Sequence, residues 1–89
     1  MLSKKQPRTI RISPDQRDRL IDLTQRDREY MGEGAGVHHD ETGIRIWCKG
    51  CTMDGVAPYD IVVDADGNAR FSGDGRRIDD LIYWLNNDS

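Results

Sequence analysis

The chain has 89 residues, 36% hydrophobic and 33% charged, with a formal net charge of −3. That is enough for one domain with a thin core, and too little for several. No apolar run approaches the length of a membrane-spanning helix, and an isoelectric point near 5.2 argues against an obligate nucleic-acid binder.

Residues 1–6 read as a flexible basic arm bearing Lys4 and Lys5, followed by a single α+β domain over residues 7–89. No apolar segment of a signal peptide follows the two lysines. Two cysteines without export features are expected of a reducing compartment, which makes the cytoplasm the expected location. So thin a core gains stability from a metal or from a second copy of the chain, and a homodimer is one expected form.

"RTIRIS" alternates, with Ile10 and Ile12 on one side and Thr9 and Arg11 on the other, which predicts a short strand. "SPDQ" then opens a helix: Ser13 caps its first amides, Pro14 suits the first helical position, and Gln16 completes a capping box. The helix is expected to run to Tyr30 or Met31, with Leu20, Leu23 and Thr24 on its apolar stripe. "GEGAG" at residues 32–36 ends it and starts a mobile loop through Val37-His38-His39-Asp40-Glu41. "GIRIWCK" is the next strand, with Ile44, Ile46 and Cys48 inward and Arg45, Trp47 and Lys49 outward. In "YDIVVDA", Tyr59, Ile61 and Val63 face inward, and Asp66-Gly67 turns the chain back into "NARFS". Ile78, Leu81, Ile82 and Leu85 form the continuous apolar face of a last helix, capped by Asp74 or Gly75. The expected fold is α+β: a small, mostly antiparallel sheet of three to four strands with two helices on one face, in the order β-α-β-β-β-α.

Cys48 and Cys51 are the only cysteines, and their spacing has three readings. A zinc ion needs four ligands, and the pair has the spacing of half a site. His38 or His39 on the glycine-rich loop supplies further ligands, with Asp40 or Asp54 as a fourth. Such a zinc-stabilised module would be able to contact nucleic acid. In the plainest reading Cys48 continues the inward Ile44 and Ile46 series as a small core residue, with Cys51 in a turn; no cofactor is then expected. The third reading is a resemblance. "WCKGCTMDGVAP" resembles the Trp-Cys-x-x-Cys active site of the thioredoxin family, and "APYDIVVDADGNARFSG" with the following helix resembles that family's closing elements. The resemblance implies a thiol oxidoreductase in which Cys48 is the nucleophile at the start of a long helix, Cys51 the resolving thiol and Pro58 a cis-proline.

Other patterns explain themselves locally. "DADGN" begins like a calcium loop but lacks the glycine and glutamate that such a loop requires downstream, and a hairpin turn accounts for it. "GEGAGV" lacks the Lys-Ser/Thr of a phosphate loop. No catalytic triad is expected, and Asp79-Asp80 reads as a solvated helix start rather than an acid/base dyad. The chain is therefore not expected to be an enzyme.

Two surfaces remain. The uncovered sheet face is expected to present Arg11, Arg45, Trp47, Lys49, Val62 and Arg70, with Asp60 and Asp64 at one side, and an outward Trp among cations has the composition of a binding surface. Its partner would be an acidic protein surface or, less favoured, single-stranded nucleic acid. On the last helix, Tyr83 and Trp84 beside Asp79 and Asp80 form an acidic-aromatic patch suited to a basic protein. The sequence therefore reads as a small non-enzymatic protein acting through protein–protein contact, in size and acidity like an accessory or inhibitor protein of a phage or mobile element.

Overall fold

The computed structural model describes residues 7–87; the basic arm expected over residues 1–6 lies outside them. Strand β1 (Arg8–Arg11) leads directly into helix α1 (Pro14–Leu23). The capping box forms as the sequence predicts: Gln16 N donates to Ser13 Oγ at 3.1 Å, and Ser13 N donates to Gln16 Oε1 at 2.9 Å. Two orphan amides are satisfied reciprocally, which fixes where the helix begins.

The long helix expected to follow is broken in two. Thr24 is fully buried and separates α1 from α2 (Gln25–Met31). Its hydroxyl donates back to Leu20 O at 2.9 Å and accepts from Arg28 Nη1 at 2.7 Å, while Arg28 Nη2 takes Ile21 O at 2.7 Å. A threonine bonding back onto its own turn bends a helix, and Arg28 supplies donors to the Thr24 hydroxyl and the Ile21 carbonyl near the break.

A larger correction concerns residues 35–40, expected as a mobile loop. They form a strand, β2 (Ala35–Asp40), joined to β3 (Gly43–Cys48) by a tight turn at Glu41 and Thr42. Ala35 and Val37 alternate inward with Gly36 and His38 outward, a weak period-2 pattern hidden by glycines and polar residues. Asp40 Oδ1 accepts from Thr42 N at 2.8 Å and Gly43 N at 3.1 Å, locking the turn. Gly43 adopts φ +144° with its α-carbon pressed against the backbone of Val63, an approach open only to glycine. β4 (Tyr59–Asp64) and β5 (Asn68–Gly73) form the expected hairpin, although three residues rather than two connect them, with Gly67 at φ +91°.

The fold is α+β: one antiparallel five-stranded sheet in the order β1-β5-β4-β3-β2, with the helices on one face. The fifth strand is β2. The last helix, α3 (Gly75–Asn86), is capped by the Asp74 carboxylate, which accepts from Arg77 N at 2.9 Å. Its Ile78, Leu81, Ile82 and Leu85 are all buried, as the spacing predicts. They close over Phe71, Ile61, Ile46, Val63 and Leu20, each at most 1% exposed. Burial of about 1.5–3 kcal/mol per large side chain makes this cluster the main source of stability. Among the described residues, no helix is long and apolar enough to cross a membrane.

Candidate functional site

The register of the sheet dictates what its outer face shows. Neighbouring strands place Thr9, Arg70, Val62, Arg45 and His38 in one row across the sheet. The adjacent row carries Ser72, Asp60, Trp47 and Gly36, and on the other side run Arg11, Asn68, Asp64, Gly43 and Asp40. Among the described residues, no helix covers these rows. Val62, a β-branched apolar residue, stands 46% exposed at the centre.

Trp47 and Arg45 are held in place rather than loose. The Arg45 guanidinium makes a bidentate bond to Asp60, Nε to Oδ1 at 3.1 Å and Nη2 to Oδ2 at 2.7 Å. Its Cζ also lies 5.3 Å from the centroid of the Trp47 ring, within cation–π range. The indole lies flat over Gly36, where an added Cβ would come within 2.5 Å of the ring. Trp47 is thereby half-buried by its own sheet while one side stays open. Lys49 follows, exposed, its stem passing over Gly34. Asp60, expected at one side of this face, is the partner of Arg45; Gly36 is the participant that sequence reasoning did not assign, its only signal being its place opposite Trp47 in the register.

The cysteine and histidine candidates are not brought together. Cys48 points into the core at 2% exposure, opposite Ala35. His38 is three residues further along β2, about 10 Å away, and on the opposite face. His39 lies closer still to the turn, opposite Ile44. Among the described residues, no group of three or more His, Cys, Asp or Glu side chains is close enough to hold a metal ion.

The features that the thioredoxin resemblance implies are also missing around the motif. No α-helix starts at Cys48: Gly50 turns the chain at φ +77°, and Cys51 pairs with Val56, closing a small loop around the single 3-10 turn Thr52–Asp54. None of the described peptide bonds is cis, so Pro58 is trans. Burial pushes the Cys48 thiol above its ordinary pKa, the reverse of what an attacking thiol needs. Cys51 is half-buried, with Sγ 3.3 Å from Asp54 Oδ2. One equivalent of a thiol reagent is therefore expected to label Cys51 in the folded protein, and Cys48 only after denaturation. Peptide mapping checks this, and prompt labelling of Cys48 would contradict its burial.

Comparison with protein-family models, with curated proteins and with solved structures found no match.

On the helical side, Tyr83 and Trp84 are 58% and 51% exposed, with ring centroids 5.5 Å apart in an edge-to-face pair. A cleft of about 340 Å³ at the start of α3 is lined by Arg26, Arg76 and Arg77 together with Asp27, Asp74 and Asp80. Its charges balance, so it favours neither an anion nor a cation. Arg77 is already committed to Asp27 at 3.0 Å, and the same carboxylate accepts from the Tyr59 hydroxyl at 2.6 Å.

Proposed function

We propose that this protein is a small, non-enzymatic binding module acting through protein–protein contact, with the outer face of the sheet as its contact surface. The observation that carries the reading is the fixed Arg45–Trp47 pair beside exposed Val62 on a face that no helix covers. A guanidinium held by both a carboxylate and an indole loses little freedom on binding, which is what a hot-spot residue requires. Arg11 and Arg70 flank it and favour a partner with acidic groups.

The edge-to-face Tyr83–Trp84 pair supports a second reading, in which α3 provides the contact. The two separate in one capture experiment on extract from the source cell. Val62→Asp and Arg70→Glu lie on the outer face and leave the core untouched, whereas Tyr83→Ala lies on α3. The sheet reading expects the two outer-face variants to lose the partner by about tenfold or more, with Tyr83→Ala unaffected. Loss confined to Tyr83→Ala transfers the function to α3, and capture unaffected by all three sinks both readings.

A further inference from the structure

The sheet has two edges, and they differ. β1 has only four residues and carries Arg8 and Arg11; Arg8 is also tied across to Asp79 on α3. β2 has six regularly paired residues with no proline, lysine or bulge, the devices that ordinarily blunt an edge. The antiparallel ladder fixes which of its backbone groups are free. Lys49 N donates to Gly34 O at 2.8 Å, and narrow and wide pairs alternate from there. Residues 36, 38 and 40 therefore bond to β3, while the amides and carbonyls of Ala35, Val37 and His39 point off the sheet. Among the described residues, none of these groups has another backbone partner.

Half of the outer side of this edge carries no side chain of its own. Positions 34 and 36 are glycines, and Lys49 and Trp47 lie across them; positions 38 and 40 carry His38 and Asp40. Antiparallel pairing about Val37 sets each outer glycine of one copy against a residue with a side chain on the other. His38 of one copy meets Gly36 and the Trp47 indole of its partner, and Asp40 meets Gly34 and the Lys49 ammonium. A two-fold axis repeats both contacts. Pairing about His38 instead stacks His38 on His38 and leaves Lys49 without an acid. Glu33 and Glu41 approach each other beyond the ladder, but both are exposed, where solvent screens such repulsion to a small effect.

We propose that the chain forms a two-fold homodimer through its β2 edges, centred on Val37, giving one continuous sheet of five strands from each copy. The occupant of the edge is a second copy because the charges of this edge complement themselves and its glycines fall opposite its side chains. The proposal is independent of the outer-face reading, since a monomer that still captures its partner leaves that reading intact.

Sedimentation equilibrium tests it directly, with a species of twice 10.2 kDa expected. A wild-type chain that stays monomeric up to about 1 mM overturns the proposal, since even weak specific association appears there. His39→Pro removes an amide that faces away from β3, and proline is tolerated on an edge strand. This variant is expected to weaken the dimer by about tenfold or more, whereas His39→Ala keeps the amide and dimerises as wild type. Lys49→Glu is expected to weaken it in the same direction. A dimer indifferent to both His39→Pro and Lys49→Glu places the interface elsewhere and overturns the proposal. If His39→Pro fails to fold, amide exchange in the wild type decides. The Val37 and His39 amides are expected to be protected in the dimer and to lose protection on dilution, and fast exchange at every concentration overturns the assignment.

Discussion

Replacing Phe71 with alanine is expected to destabilise the fold by about 3–5 kcal/mol. Phe71 is fully buried on β5. Its register row runs through Ile61 and Ile46 to Val37, so its ring sits at one end of the line of side chains that joins the strands to the helices. Removing the ring deletes its transfer energy and leaves a cavity that the sheet backbone cannot collapse to fill. Domains of this size hold only about 5–10 kcal/mol in total. The variant is therefore expected to melt at least 15 °C or so below wild type. Phe71→Leu keeps most of the volume and is expected to cost about 1 kcal/mol. Urea titration followed by circular dichroism measures both, and a Phe71→Ala loss below about 1 kcal/mol would be incompatible with this core.

The second large effect is expected at Asp27. Its Oδ2 accepts from both the Tyr59 hydroxyl and Arg77 Nη2, with the Asp27 side chain 17% exposed. Asp27→Ala leaves two part-buried donors without their acceptor, at about 2–4 kcal/mol. Asp60→Ala breaks an equally good pair with Arg45, but in the open, and is expected to cost about 1 kcal/mol or less. The ordering of these two variants in urea separates burial from mere geometry. The same network predicts a pH limit. Burial, then the bond to Asp27, pushes the Tyr59 phenol above its usual value, so the folded chain keeps this proton when the unfolded chain loses it. The stabilisation is present below about pH 10 and is lost as pH rises beyond it, by about 1.4 kcal/mol per unit. Tyr30, raised chiefly by its bond to Asp54, acts in the same direction at the surface. Tyr59→Phe is expected to flatten most of that alkaline limb, and an unchanged slope would remove Tyr59 as its cause.

Elements with a strong period or a cap were legible from the residues. Ser13-Pro14-Asp15-Gln16 located the first helix start, and Ile78, Leu81, Ile82 and Leu85 located the last helix face. The alternation of Ile44, Ile46 and Cys48 and of Tyr59, Ile61 and Val63 placed β3 and β4 and told inward from outward, which is why the rows of the outer face were foreseeable. β2 was not. Its Gly36 and paired histidines carry no strand propensity of their own, and what orders them is pairing with β3 and cover from α2. The break at Thr24 was hidden for a similar reason, because a threonine on an apolar stripe reads as a filler until its hydroxyl finds Leu20 O and Arg28. The Asp27–Tyr59–Arg77 cluster joins residues 32 and 50 positions apart, a meeting that no local pattern announces.

The strand order also has a consequence for how the chain assembles. β2 to β5 form a meander in which each strand pairs with the next in sequence, and such local contacts form early and cheaply. β1 alone depends on a distant partner, since Arg8–Arg11 pair with Asn68–Phe71. During synthesis β1 is made well before its partner, and it can be seated only after β5 has left the ribosome. Until then Ile10 and Ile12 stay without their cover, and α1 has no α3 to lean on. The fold is therefore expected to close in one late step at its N-terminal strand rather than to grow from it.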